Sequence, residues 1–408
     1  MIPTAILPIW LSGLLSLGII GSAFYLLREW YQTSWVNDRL LNRMVFDPDF
    51  GLNAPTALLV GGLLLLVWAV AGGLLVQLFL RLTSRSSSHE RPNRERDGRV
   101  QTVRRPDGTE LHVEHYGPGS GPALILTHGW GTDSTEWYFV KRQLRDRYRI
   151  IVWDLPGVGK STRPPNGDYG LEKFAGDLDA VARLADGEPV VLAGHSIGGM
   201  TTLTLCKLFP EALGARIAGL VLVHTTYTNP VRTTTLARLN TALERPVIVP
   251  LLHLTIWLSP FVWLMNVLSY VNGNSHVFSK LTGFGGTETW QEVDFSTRYN
   301  LYMSPAVLAK GMFGMLRYDA SATLKTIGVP TLVVAGDRDP VCKPEASERI
   351  SRDVPNAELA MLAPAKHNGF MEHNQEFGTL VADFAGACFQ NARAIREASH
   401  ADSATIKS

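Results

Sequence analysis

Two long stretches without a charged residue constrain this chain more than any other feature. No Asp, Glu, Lys or Arg occurs from Met1 to Leu27, and a second uncharged run ends at Leu80. A helix of about 20 residues crosses a hydrocarbon layer of about 30 Å. The runs "AILPIWLSGLLSLGIIGSAFYLL" (residues 5–27) and "APTALLVGGLLLLVWAVAGGLLVQLFL" (residues 54–80) both reach that length. A cleaved signal peptide needs a basic start, and the first cationic side chain here is Arg28. The second run is apolar on every face, unlike a helix of a soluble core. Residues 1–82 are therefore expected to form a two-helix transmembrane hairpin, with the lipid bilayer as partner. Arg28, Arg39 and Arg43 lie between the runs, whereas Arg81, Arg85, Arg91, Arg94, Arg96 and Arg99 follow them. That bias puts the later segment, and with it the rest of the chain and the N-terminus, on the cytoplasmic side.

The stretch "TSRSSSHERPNRERDGR" (residues 83–99) is serine-rich and charged and has no apolar periodicity, so a flexible basic linker is expected there. A polar tail is expected over residues 391–408. Between them, residues 100–390 form one soluble domain. The net charge of +1 offers nothing to nucleic acid. Cys206, Cys342 and Cys388 are far apart and form no C-x-x-C pair, which disfavours a disulfide framework or a zinc site. His112 and His115 flank Glu114, but residues three apart on a strand point to opposite faces. No cofactor or metal is expected.

Residues 100–390 have a regular rhythm. "VQTVRRPDGTELHVEHY" reads as two strands joined by a hairpin turn at Asp107–Gly108. The short apolar runs "ALILTHG", "RIIVWD", "VVLAGHS", "GLVLVHT", "TLVVAGD" and "AELAMLAP" follow, mostly at helix-length intervals, as in a parallel α/β sheet. "GVGKST" (residues 157–162) imitates the end of a phosphate-binding loop. The full pattern would need glycine where Asp154 stands, and Pro156 removes an N–H, so a nucleotide is not expected.

More specific is "LAGHSIGGM" (residues 192–200), in which Gly194, His195, Ser196, Ile197 and Gly198 spell G-x-S-x-G between a strand-like and a helix-like segment. Small residues on both sides let the helix start close to the strand and lift the serine hydroxyl into a cleft. Together with "THGWG" (residues 127–131) and "DLPGVGKS" (residues 154–161), this segment resembles the serine α/β-hydrolase family over almost all of residues 100–390. The resemblance implies a mostly parallel eight-stranded sheet flanked by helices, and it implies a triad in the order Ser, acid, His. Ser196 is then the nucleophile. "VVAGDRDPVCKPE" offers Asp337 and Asp339; the family's spacing from Gly336 selects Asp339 and leaves Asp337 to shape the turn. "LAPAKHNGFMEHNQEF" offers His367 and His373, and the family's H-x-x-x-x-E pattern, ending at Glu372, selects His367. His373 is expected at the surface of the next helix. His195 is expected to point away from the cleft, and His128 to shape its loop. The oxyanion donors implied are the main-chain N–H groups of Trp130 and Ile197. The Trp130 ring is left to line an acyl pocket or to pack.

Between Thr225 and Ala322 the strand rhythm stops, where the family inserts a helical cap. An uncharged run, Pro246–Ser279, could read alone as a third membrane helix. Ser196 precedes it and Asp339 and His367 follow, so one crossing would separate the triad. Pro250 and Pro260 interrupt it as well. An apolar lid that dips into the membrane surface is expected instead. An anchored hydrolase with such a lid is similar to the membrane-anchored monoacylglycerol-lipase-like members of the family. That implies a small-molecule or lipid-like acyl ester as substrate. Thioester, amide or carbon–carbon cleavage by the same residues, and a non-catalytic membrane scaffold, are the alternatives.

Overall fold

A computed structural model describes residues 1–51, 53–83 and 91–405, with side chains to residue 398. Residues 84–90 of the expected linker and 406–408 of the tail lie outside the described residues. The uncharged runs form helices α1 (Ile6–Thr33) and α2 (Ala54–Thr83), both long and apolar enough to cross a membrane. Strands β1 (Trp35–Asp38) and β2 (Arg43–Phe46) pair between them, a hairpin where hydropathy alone indicates only a loop. The rings of Trp30, Tyr31, Trp35 and Phe46 cluster at this end.

The domain begins with β3 (Arg99–Arg104), β4 (Glu110–Tyr116) and β5 (Ala123–Thr127), then α3 (Tyr138–Leu144), β6 (Arg149–Trp153), α4 (Leu171–Ala182), β7 (Val190–His195), α5 (Ile197–Leu208) and β8 (Ile217–Val223). A cap of six helices follows: α6 (Ala237–Leu243), α7 (Val249–Trp257), α8 (Ser259–Val271), α9 (Asn274–Gly283), α10 (Trp290–Tyr302) and α11 (Pro305–Leu316). The domain closes with β9 (Thr331–Gly336), α12 (Pro344–Asp353), β10 (Ala357–Leu362), α13 (Gly369–Glu372) and α14 (Asn374–Thr405).

The eight strands run in the order β10-β9-β8-β7-β5-β6-β4-β3. The β3–β4 and β4–β6 pairs are antiparallel and the rest parallel. The central strands alternate between two cores, as period-2 side chains require. Ile125, Ile151 and Leu192 face α4 and α5, and Leu124, Val152 and Val191 face α14.

The helical run Ala237–Trp257 meets α8 at 98°, so the uncharged stretch of the cap folds back and does not continue straight. The buried stripe of α8, Val262, Met265, Asn266 and Ser269, has helical spacing. It packs on α1: Ser16 Oγ lies 3.0 Å from Ser269 Oγ, Trp10 Nε1 donates to Thr255 Oγ1 of α7 at 2.9 Å, and Gly13 lies against Met265. On α2, Gly72 and Gly73 meet the carbonyls of Asn272 and Val271, where a Cβ would lie only 2.8 and 2.5 Å from those oxygens. Small residues allow such backbone approach between apolar helices. Hairpin, cap and sheet domain thus share one packed body.

The linker expectation needs correction for residues 91–98. Arg96 lies 2.6 Å from Glu114, 3.3 Å from Asp133 and 3.1 Å from Asp154, all three carboxylates fully buried. Arg94 also pairs with Asp133 and stacks on Tyr299 and Tyr302 of the cap. Charge and low apolarity indicate a solvated tether only if the charges lack partners, and here the partners are distant in sequence. In the polar tail, α14 continues through residue 405 as helix. Replacing Arg96 with Met should take the guanidinium from buried Glu114 and Asp154 and leave Asp133 with Arg94 alone. The loss should be about 3–5 kcal/mol, read as a fall in the midpoint of denaturant unfolding in detergent, whereas Arg91→Met should leave that midpoint unchanged.

Candidate active site

Strand β7 ends at His195 and α5 begins at Ile197, so Ser196 forms the turn alone. Its φ of +53° and ψ of −114° lie outside the regions L-residues favour. Two close approaches hold it there. A Cβ on Gly194 would sit 2.4 Å from the Gly198 carbonyl carbon, and one on Gly198 would sit 2.2 Å from the Thr127 oxygen. The Ser196 N–H donates to the Val223 carbonyl at 2.9 Å, and Thr225 Oγ1 donates to the Ser196 carbonyl at 2.6 Å.

Loops after β9 and β10 bring the other two candidates to this turn. His367 Nε2 lies 3.2 Å from Ser196 Oγ, and His367 Nδ1 lies 2.8 Å from Asp339 Oδ2. The other oxygen of Asp339 accepts the N–H groups of Val341 at 2.8 Å and Cys342 at 3.0 Å. An Nδ1–H directed at Asp339 leaves Nε2 free to accept the serine proton. Burial alone would raise the Asp339 carboxyl, but His367 and His224 outweigh it and hold the group well below the usual range. Burial pushes His367 down to about 4; Asp339 opposes this, and His195 and His224 reinforce it.

The remaining sequence candidates divide clearly. Asp337 accepts the Ala365 N–H at 2.8 Å and ties the β9 turn to the His367 loop. His373 is partly buried and contacts the Pro364 carbonyl at 2.9 Å, contrary to the surface position expected for it. His195 turns its Nδ1 to Glu136 at 3.1 Å and its Nε2 to the His367 carbonyl at 3.2 Å. His128 accepts the Leu155 N–H at 2.9 Å and so joins the loops after β5 and β6. The Asp154 carboxylate fills the look-alike turn and accepts the Lys160 N–H at 2.8 Å, while Lys160 itself is exposed. The Trp130 ring is packed: it is fully buried, lies against Phe174 and donates from Nε1 to the Leu308 carbonyl of α11 at 2.9 Å. The main-chain N–H groups of Trp130 and Ile197 donate to no other group among the described residues.

Two residues escaped the sequence reading. Glu136 is buried, accepts the Gly129 N–H at 2.7 Å and thereby braces the loop that carries Trp130. Its signal is the Asp133-x-x-Glu136 pattern of a helix start, where Asp133 accepts the Thr135 N–H. His224, directly after β8, has φ +45° and places Nδ1 3.4 Å from Asp339 Oδ2. No sequence spacing points to it.

The α/β-hydrolase fold family matches residues 122–374, and the chain belongs to it. A pimeloyl-[acyl-carrier protein] methyl ester esterase of Nitrosospira multiformis is 27% identical over 280 residues, 67% of this chain and 98% of that one. An uncharacterized Mycobacterium bovis protein is 38% identical over 93 residues, 23% of this chain and 27% of its own length. The solved structure of a thermophilic esterase from Thermogutta terrifontis superposes with a TM-score of 0.58 at 23% identity, covering 71% of this chain and 99% of that one, and shows the shared fold.

The depressed His367 predicts the pH dependence. An ordinary imidazole is half protonated near pH 6.5; one pushed down to about 4 stays neutral, and able to accept a proton, well below that. The acid limb of kcat/KM on a short soluble ester should therefore fall below pH 6, and a limb at 6.5–7 would contradict the burial argument. As pH falls from 6.5 toward 4, the unfolded chain takes up this proton first, so His367 should lower stability across that window. Asp339→Asn should reduce kcat at least a hundredfold more than Asp337→Asn, because only Asp339 holds the imidazole tautomer.

Proposed function

We propose that this protein is a membrane-anchored serine hydrolase that cleaves carboxylic esters of apolar acyl chains through an acyl-enzyme intermediate. The observation that carries the reading is the Ser196–His367–Asp339 relay beneath an apolar cap that packs on the hairpin. Ser196 Oγ attacks the ester carbonyl while His367 Nε2 takes its proton. The oxyanion is received by the N–H groups of Ile197 and Trp130, each worth roughly 3–4 kcal/mol when removed. His367 then returns the proton to the leaving alcohol, and water releases the acid by the same steps in reverse order. The methyl ester esterase of Nitrosospira multiformis supports ester chemistry on this fold.

Helices α1 and α2 cross the bilayer in this reading, with the domain on the cytoplasmic side beside the arginines that follow α2. The apolar face of the cap lies in the lipid: Trp257 is 78% exposed, and Phe261, Trp263 and Leu264 are exposed beside it. The α8–α9 turn meets Gly73 about 15 Å along α2 from Thr83, at about 1.5 Å per residue. A cap held at that depth receives a lipid-phase ester without exposing it to water.

A fluorophosphonate probe should label the full chain in detergent, and Ser196→Ala should abolish both labelling and ester hydrolysis while leaving thermal unfolding unchanged. Near wild-type turnover by that variant would sink the serine mechanism. Trp257→Ser with Trp263→Ser should lower the rate on a long-chain ester in liposomes about tenfold more than on a short soluble ester. Equal losses on both would mean that the cap face only packs.

A further inference from the structure

The chain leaving β8 meets both Ser196 and Asp339 within three residues. The Val223 carbonyl accepts the Ser196 N–H at 2.9 Å, and Thr225 Oγ1 donates to the Ser196 carbonyl at 2.6 Å. Between them, the His224 N–H extends the ladder to the Val334 carbonyl of β9 at 2.8 Å, and the backbone there turns with φ +45°. Histidine and asparagine are among the side-chain-bearing residues that take this left-handed conformation most readily. The His224 ring is fully buried, and its Nδ1 lies 3.4 Å from Asp339 Oδ2, the same oxygen that His367 Nδ1 approaches to 2.8 Å.

The ring is wedged between the loops that carry Asp339 and His367. A Cβ on Gly369, two residues after His367, would lie 3.2 Å from its Cε1 and 3.3 Å from its Nε2, so that glycine gives the ring its seat. The ring centroid is 6.1 Å from that of His367 and 6.2 Å from that of His195. Neither ring nitrogen makes a hydrogen bond of ordinary geometry among the described residues. A buried polar group without a partner is costly, and the carboxylate beside this one is Asp339. Burial holds the imidazole below its ordinary range; Asp339 opposes this, and His195 and His373 reinforce it. The ring is therefore neutral near pH 7 and has one N–H to place. A proton on Nδ1 meets the carboxylate. A proton on Nε2 would sit beside Gly369 and turn the Nδ1 lone pair against the Asp339 charge.

We infer that His224 is a positioning residue for ester cleavage, with its Nδ1–H directed at Asp339 Oδ2 so that the carboxylate stays turned to His367. Two donors on one oxygen make Asp339 a weaker base. The Nδ1 proton then stays on His367 while Nε2 takes and returns the serine proton. At 3.4 Å the contact from His224 is long, which leaves the shorter bond to His367 dominant. The inference rests on the esterase reading for its effect on rate, but not for the contact.

The test uses the full chain in detergent and a short soluble ester. His224→Asn keeps an N–H near the place of Nδ1 and tolerates the left-handed backbone, whereas His224→Gly frees the backbone and removes the donor. His224→Gly should lower kcat about tenfold with KM within about twofold, and His224→Asn should stay within about threefold of wild type. His224 is among the groups that hold the His367 imidazole down, so the glycine variant should also move the acid limb of kcat/KM upward by about 0.5 in pH, and the asparagine variant should not. Lost packing alone would slow both variants alike, and that result, or an acid limb unmoved by glycine, would overturn the role. A second measurement needs no turnover. Nitrogen NMR of protein carrying isotope-labelled histidine, with His224 assigned by its absence from either variant, should show a neutral ring with its proton on Nδ1 at pH 7. A proton on Nε2 would contradict the inference. If the proton is on Nδ1 but the wild type hydrolyses no ester, the esterase reading fails and the placement of His224 stands. If esters are hydrolysed while the proton is on Nε2, this inference alone fails.

Discussion

Ser196 Oγ and His367 Nε2 are 3.2 Å apart, yet the uncharged run Pro246–Ser279 lies between them in the chain. That contact is possible only if the run leaves the domain and returns on the same side of any membrane. The rest of the architecture depends on this constraint. It requires the apolar run of the cap to bend, and the 98° angle at Leu258 provides that. A straight apolar helix there would satisfy hydropathy and destroy the site.

Burial of charge sets a second condition. Within the sheet domain, Asp339, Asp154, Glu136 and Glu114 are all excluded from solvent, and each is matched by donors before anything else is built on it. Asp339 takes two N–H groups and an imidazole; Glu136 takes the Gly129 N–H and faces His195; Asp154 takes Arg96 and two N–H groups. Glu136, Asp154 and Asp339 lie on the segments that follow β5, β6 and β9, and Glu114 lies on β4. The geometry of Ser196 and its neighbours is thus fixed by a shell of satisfied acids, in which removing one donor costs more than the bond it made.

Much of this was legible in sequence because the signals are local. The strand rhythm appears in runs of four to eight residues, and the turn at Ser196 needs only its two glycines and the segments beside it. The candidates His367 and Asp339 were selected by the family's spacing from Glu372 and Gly336, and the fold brings both to Ser196. What sequence could not reach depends on partners far along the chain. Arg96 sits in a serine- and charge-rich stretch identical in character to a tether, and only Glu114, Asp133 and Asp154 make it structural. His224 has a role only because β8 ends opposite Asp339. Ser16 looks like a minor polar interruption of an apolar run, and the pairing of α1 with α8 gives it Ser269 as a partner.

The packing of α1 on the cap ties the two apolar N-terminal helices to the sheet domain. An anchor on a free tether concentrates an enzyme at a surface but leaves its chemistry alone. Here Ile2 and Ile6 are buried in the same cluster as Trp130 and Ile197, and Gly13 and Ser16 hold the inner face of α8. Arg94 and Arg96, on the segment leading from α2 to β3, clamp the cap and the loop after β5. Removing residues 1–82 would expose the stripe of α8 that contains Met265 and Ser269 and take Ile2 and Ile6 out of the cluster around Trp130. The hairpin is therefore as much a part of the folded core as the sheet. The same cluster takes in Leu308 of α11, whose carbonyl receives the Trp130 indole N–H, so the two N-terminal helices, the cap and the loop that carries Trp130 pack as one.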